Sequence, residues 1–383
     1  MMRVLGRTEI STSTLLLVVT LVMVICLLYD YNDNQISHLQ KAVMEDDNQT
    51  MSPAQNASHP TSWPPCEPNM AAADIRDFSS LPKTLQDFLY FQHCQQFPML
   101  LDVPDKCGGA EASDGVFLLL VIKSSPGNYE NREVLRKTWA KERLHNGALI
   151  RRLFITGTEQ TGFEKARQNQ LLQLEQSEYG DILQWDFTDS FYNLTLKQVL
   201  FLQWIDRNCP HVRFLLNGDD DVFANTGKMV EYLQGLDGND GDKHLFSGNV
   251  IYNSSPIRSP SSKYFIPMQV QASNSYPPYC SGGGFLLSGY TAMVIYKMST
   301  AVPLLPIDDV YIGMCLAKAG LHPAYHMGIL TNGLYIPSKK IDKYDPCIYR
   351  DFLLVHRFLP AQIYLMWHRV NYSNLKCSSF TKH

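Results

Sequence analysis

Val212-Arg-Phe-Leu-Leu-Asn-Gly-Asp219-Asp220-Asp221 is an apolar run that ends in three adjacent carboxylates. Adjacent carboxylates repel one another, so a fold keeps them together mainly where a cation or a polar ligand offsets the repulsion. Mg²⁺ and Mn²⁺ favour oxygen ligands of this kind. A strand that runs into acidic residues at its carboxyl end is also where α/β sheets place their ligands. A solvated acidic turn fits the triplet equally well when it is taken alone.

Outward from the triplet, strand and helix patterns alternate. The spacing predicts strands over 116–122, 149–156, 182–187 and 212–216, with helices over 132–143, 164–177 and 195–207 between them. Further helices are expected over 228–236, 290–299 and 310–319, and further strands over 244–250 and 284–287. Buried apolar strands alternating with helices predict a mainly parallel sheet flanked by helices, an α/β domain filling residues 116–383. Residues 66–115 hold short amphipathic pieces and three cysteines and read as an N-terminal cap. Residues 30–65 are polar, with little apolar periodicity, and read as a flexible stem.

Residues 10–29 carry no charge. Twenty residues at a rise of ~1.5 Å span roughly 30 Å, one bilayer core. Arg3 and Arg7 lie before the span and Asp30 and Asp33 after it, which favours a cytoplasmic tail over 1–9 and a single-pass transmembrane anchor. Of nine cysteines, Cys26 lies in the span; the remaining eight allow up to four disulfides, with none assigned from sequence. Sequons at Asn48, Asn56, Asn193, Asn253 and Asn371 fit glycosylation in the secretory pathway. Charged residues make up 18% of the chain and the net charge is −4, which argues against nucleic acid as a partner.

Four other stretches carry chemistry. In Lys123-Ser-Ser-Pro-Gly-Asn-Tyr-Glu-Asn-Arg132-Glu-Val-Leu-Arg136-Lys-Thr-Trp139, a Pro-Gly turn leads into a helix with Arg132 and Arg136 on one face, suited to a diphosphate or simply solvated. Cys280-Ser-Gly-Gly283-Gly284-Phe places glycines before a strand, where the backbone either approaches a ligand or forms a bulge. Pro306-Ile-Asp308-Asp309-Val begins a helix, so either aspartate is a cap or a general base. In Leu354-Val-His356-Arg357 a histidine closes an apolar run, where a structural role is the ordinary one.

Together with Phe187-Thr-Asp189-Ser-Phe-Tyr192-Asn193-Leu-Thr-Leu-Lys197, these stretches resemble the β-1,3-glycosyltransferase family of the Golgi over roughly 117–367. Pro306-Ile-Asp-Asp-Val-Tyr and Val355-His-Arg-Phe-Leu-Pro360 look more like its β-1,3-N-acetylglucosaminyltransferase branch than its galactosyltransferase branch, where Glu-Asp-Val is typical. Ala140 and Asn217-Gly218 depart from the family pattern, and the second departure bears on the donor loop.

The resemblance implies a GT-A type nucleotide-sugar-binding domain in a type II Golgi membrane protein. It implies UDP-GlcNAc as donor, Mn²⁺ or another divalent cation, and acceptor glycans on glycoproteins or glycolipids that end in β-galactose. The reaction implied is inverting transfer to the 3-hydroxyl, and the family association allows homo- or heterodimers with other Golgi transferases. Carried onto this chain, Asp221 and His356 are the implied metal ligands and Asp309 the catalytic base. Asp219, Asp220, Lys123, Arg132, Arg136, Gly283 and Gly284 would face the donor. Asp308 would face the acceptor, with Tyr276 and Tyr279 as aromatic contacts or as core residues. The alternatives are a UDP-galactose β-1,3-galactosyltransferase on the same fold and a non-catalytic luminal sugar-binding protein.

Overall fold

The computed structural model describes residues 66–159, 162–333, 344–372 and 375–377. The expected tail, membrane span and stem, with Asn48 and Asn56, lie outside the described residues. Among the described residues no helix is long and apolar enough to cross a membrane.

The strands in chain order are β1 (Met99–Leu101), β2 (Leu118–Lys123), β3 (Arg143–His145), β4 (Ala148–Thr158), β5 (Ile182–Thr188), β6 (Phe214–Asp219), β7 (Val222–Ala224), β8 (Phe246–Gly248), β9 (Val250–Ile251), β10 (Tyr279–Cys280), β11 (Gly284–Ser288), β12 (Ala324–Tyr325), β13 (Ile329–Leu330) and β14 (Leu354–His356). Nine of them form one sheet in the order β1-β5-β4-β2-β6-β11-β8-β12, with β3 paired to β4. β2 is buried at every position, and its side chains alternate between two apolar layers. Leu119 and Val121 enter one layer, under the helices Leu194–Asn208, Gly289–Ser299 and Asp308–Lys318. Leu118, Leu120 and Ile122 enter the other, under Tyr129–Lys137, Thr226–Gln234 and Pro360–Val370. This is the two-faced cover that continuous apolar strands require.

The sheet is mixed rather than mainly parallel. β5, β4, β2 and β6 run parallel, but β11 is antiparallel to both β6 and β8. β1 and β3 are antiparallel to their neighbours, and β12 is parallel to β8. The direction of β11 has a local cause. The chain reaches it from Ser281–Gly283, already at the carboxyl end of β6, where the Asp219 amide donates to Gly283 O at 3.1 Å. No crossover carries it to the other end, so it must run back. Periodicity reports burial and not direction.

Some boundaries also differ. The expected helix 132–143 is Tyr129–Lys137, and Arg143–His145 turns back on β4 as a hairpin. The expected strand 244–250 breaks at Asn249 between β8 and β9. The segment 66–115 is built into the main apolar layer through Phe78, Leu85, Phe88 and Leu89. Among the described residues three disulfides form, Cys66–Cys94, Cys107–Cys209 and Cys347–Cys377. Cys280 and Cys315 remain buried thiols, and burial pushes both up to about 12.

Candidate active site

The parallel register of β2 and β6 sets Lys123 beside Asp219 at the carboxyl ends of both strands. Lys123 Nζ lies 3.0 Å from Asp219 Oδ1 and donates to Asp308 Oδ2 at 2.8 Å. Burial alone would discharge this ammonium; Asp219 and Asp308 outweigh it and hold Lys123 protonated. Burial likewise opposes the Asp219 charge, but Lys123, with His356 and Lys197 behind it, keeps that carboxyl below its usual range.

After Asp219 the chain turns, and β7 pairs with β14 so that Val222 lies opposite His356. The turn brings Asp221 to the imidazole, with Asp221 Oδ1 2.9 Å and Asp219 Oδ2 3.8 Å from His356 Nε2. His356 Nδ1 lies 2.9 Å from Thr331 O. A carbonyl only accepts, so Nδ1 carries the proton and Nε2 faces the carboxylates. A neutral imidazole would then aim a lone pair at a carboxylate, an arrangement that calls for a cation or a second proton. Burial lowers the His356 pKa, yet Asp221 and Thr331 outweigh it and raise it overall. Ligand atoms of Asp219, Asp221 and His356 all lie within 4.8 Å of one another. Two carboxylates and one imidazole whose other nitrogen is tied to a carbonyl suit Mn²⁺ or a similar divalent ion.

Asp220 points away from this cluster. It is buried and accepts from Ser124 Oγ at 2.7 Å, Asn128 Nδ2 at 2.9 Å and Asn131 Nδ2 at 3.2 Å. Its carboxylate therefore fixes the loop between β2 and the following helix. Burial raises its pKa against those hydrogen bonds.

Asp309 sits in the first turn of the helix Asp308–Lys318. Its Oδ1 accepts from the Val310 amide at 2.8 Å and its Oδ2 from the Gly282 amide at 3.0 Å. Burial and the neighbouring Asp308 nevertheless push its pKa up to about 7. A carboxylate poised there is matched to general-base work at neutral pH. Asp308 is buried against Lys123.

The glycine run serves close approach within the protein. Gly283 has φ +100°, and a Cβ there would lie 2.7 Å from His356 Nδ1. At Gly284 it would lie 2.5 Å from Leu354 Cδ1. Gly283 and Gly284 thus let β14 press against the site.

Arg132 and Arg136 are not on the open side. Arg132 is buried and donates to Glu175 at 2.8 and 2.6 Å, to Ser124 Oγ at 3.0 Å, and to the carbonyls of Ser125 and Pro126. Arg136 pairs with Glu175 at 2.8 Å and Asp181 at 2.9 Å. Neither a diphosphate clamp nor a solvated pair describes them. The four-residue spacing puts both on one face, and that face meets Glu175 and Asp181, which sequence spacing does not reveal. Tyr276 and Tyr279 are core residues next to Asp309, and both hydroxyls are pushed up, chiefly by burial. The Tyr276 hydroxyl has no hydrogen-bond partner among the described residues.

Sequence reading missed Thr331, Glu175, Asp181 and the Gly282 amide. The pair Asn128 and Asn131 had a signal, since both follow the Pro-Gly turn. Of the described sequons, Asn193 Nδ2 donates to Thr188 O and Asn371 Nδ2 to Trp367 O, each at 2.8 Å, while Asn253 is exposed.

Residues 130–326 match the family model described as Galactosyltransferase. The chain is 51% identical over 319 residues to the human N-acetyllactosaminide beta-1,3-N-acetylglucosaminyltransferase 3, covering 83% of this chain and 84% of the relative. It is 48% identical over 316 residues to the human acetylgalactosaminyl-O-glycosyl-glycoprotein beta-1,3-N-acetylglucosaminyltransferase, covering 82% and 81%. With the rat UDP-GlcNAc:betaGal beta-1,3-N-acetylglucosaminyltransferase 7 the identity is 43% over 305 residues, covering 79% and 74%.

Proposed function

The chain belongs to the galactosyltransferase family, in its β-1,3-N-acetylglucosaminyltransferase branch, and from that premise we propose a metal-dependent transfer of GlcNAc from UDP-GlcNAc to the 3-hydroxyl of a terminal β-galactose. The observation that carries the mechanism is Lys123. Bonded to both Asp219 and Asp308, it holds the helix that bears Asp309 one side chain away from the Asp219–Asp221–His356 cluster.

In the proposed reaction Asp309 accepts the proton of the acceptor 3-hydroxyl as that oxygen bonds to the anomeric carbon. The bond from the anomeric carbon to the diphosphate oxygen breaks, and UDP leaves with its electron pair. The configuration inverts in this single displacement, as in inverting glycosidase chemistry with a sugar alcohol in place of water. Asp221 and His356, with Asp219 beside them, would hold the divalent ion. When bound there, such an ion would supply Lewis-acid stabilisation to the departing diphosphate. Asp220 and Arg132 act on the donor side through the loop that they fix. Asp308 acts on the acceptor side by keeping Lys123 in place.

A GT-A domain preceded by a signal anchor over 10–29 and a stem over 30–65 completes the reading, with the active site in the Golgi lumen. The three disulfides support an oxidising compartment. The test is to incubate the purified chain, with Mn²⁺, with UDP-GlcNAc or UDP-galactose and a panel of β-galactoside and β-GlcNAc acceptors, and to determine the product linkage. A GlcNAcβ1-3Gal product is expected. Galactose transfer, or no transfer by folded protein that binds UDP, would overturn it.

A further inference from the structure

Ser281, Gly282 and Gly283 touch different parts of the site in succession. The Gly283 carbonyl accepts from the Asp219 amide at 3.1 Å, and the Gly282 amide donates to Asp309 Oδ2 at 3.0 Å. The Ser281 hydroxyl is hydrogen-bonded to the Thr331 hydroxyl. Thr331 is 3% exposed and follows β13 directly, and β13 is the parallel neighbour of β14. Thr331 Oγ1 also accepts from Asn249 Nδ2 at 2.9 Å. Asn249 closes the circuit, because its carbonyl accepts from the Ser281 amide at 2.9 Å. Asn249, Ser281 and Thr331 thus form a hydrogen-bonded ring, and the break between β8 and β9 falls on its asparagine.

The ring meets the chemistry at two points. Thr331 O accepts the Nδ1 proton of His356 at 2.9 Å, which leaves Nε2 toward Asp221 and Asp219. A partner behind a ligating imidazole sets its orientation and its basicity. The registered pairs of β13 with β14 end at Leu330–Val355, so Thr331 lies beyond the ladder and its hydroxyl bonds do the anchoring. At the other point, Ser281 directly precedes Gly282. Whatever holds Ser281 also holds the amide that donates to Asp309. Groups bonded in this way act as a unit. Removing the Thr331 hydroxyl leaves the Asn249 amide and the Ser281 hydroxyl each short of a partner.

We propose that Thr331 is a positioning residue for both halves of the site: its carbonyl sets the His356 imidazole for the divalent ion, and its hydroxyl, through Ser281, sets the Gly282 amide on Asp309. This rests on the reading that His356 holds the ion and Asp309 is the base. The full chain is purified, and Mn²⁺ affinity is measured by electron paramagnetic resonance without sugar nucleotide. Turnover is then measured with Mn²⁺, UDP-GlcNAc and a β-galactoside all saturating. Thr331→Val deletes the hydroxyl and keeps the carbonyl. It weakens Mn²⁺ binding about ten-fold and also lowers the saturated kcat about ten-fold. Thr331→Ser restores the hydroxyl and returns both quantities to within about two-fold of wild type. Ser281→Ala keeps the Asn249–Thr331 bond; it lowers the saturated kcat about ten-fold with Mn²⁺ affinity within about three-fold, and it decides the matter should Thr331→Val not fold. Wild-type Mn²⁺ affinity in Thr331→Val, full recovery of its kcat at saturating Mn²⁺, no rescue by Thr331→Ser, or an unmoved kcat in Ser281→Ala each overturns the proposal. Failure of the underlying reading looks different: wild-type chain that binds no Mn²⁺, or full turnover in Asp309→Asn, removes that reading, and the positioning role falls with it.

Discussion

Lys123 and Asp308 lie 185 residues apart in the chain and meet in a 2.8 Å hydrogen bond. The same ammonium reaches Asp219, so one buried cation joins the end of the acidic triplet to the start of the helix that bears Asp309. Lys123→Met strands Asp308 without a partner beside Asp309. Removing one member of a buried pair costs on the order of 3–5 kcal/mol. Partial exposure of Asp219 places the expected loss at the lower end. The variant should melt several degrees below wild type and lose transfer. An unchanged Tm would show that the bridge is not structural.

Asp309→Asn should reduce kcat by about 10²–10⁴-fold while UDP binding, followed by calorimetry, stays near wild type. Wild-type kcat/KM should rise with pH through about 7 as Asp309 ionises. Stability should run the other way. A carboxyl whose folded pKa is raised binds its proton more tightly when folded, so its contribution is present at low pH and is lost as pH rises towards about 7. Asp309→Asn should therefore melt above wild type at pH 8 and not at pH 4. Full turnover in the variant would remove Asp309 as the base.

Asp221→Ala and His356→Ala should each weaken Mn²⁺ binding by about ten-fold or more, read by Mn²⁺ electron paramagnetic resonance as well as by metal-dependent UDP binding. Chelation should abolish transfer by wild type and restore none in either variant. Wild-type Mn²⁺ affinity in both variants would place the ion elsewhere.

Gly283→Ala places a methyl group 2.7 Å from His356 Nδ1 at a backbone angle of +100°. The left-handed conformation alone should cost about 1 kcal/mol. Displacement of the imidazole should cost metal affinity in addition. The expected signature is a modest fall in Tm with a disproportionate loss of Mn²⁺ binding. A loss of Tm without a change in Mn²⁺ affinity would separate the glycine from the histidine.

The triplet, the glycine run and the Asp308-Asp309 pair were legible because each is a local cluster of unusual residues. The alternation of β2, β4, β5 and β6 with helices was legible because buried parallel strands have a strong apolar pattern. What remained hidden was orientation. Asp219, Asp220 and Asp221 are consecutive, yet the turn sends Asp221 to His356 and Asp220 to Ser124, and nothing in their identity separates them. Arg132 and Arg136 share one face as their spacing predicts, but the acids opposite belong to the helix Gly162–Tyr179 and to the residue just before β5. The reversal of β11 was hidden for the same reason, since direction depends on where the preceding loop ends.

β14 supplies His356 and pairs with β7, the strand that follows the triplet directly. The imidazole is thus held by one of the last strands of the chain, although its two acidic neighbours are made long before it. In a nascent chain the Asp219–Asp221–His356 cluster stays incomplete until β14 has left the ribosome. A frameshift or stop between Asp309 and β14 would leave Lys123, Asp219 and Asp309 in the product and would still remove His356.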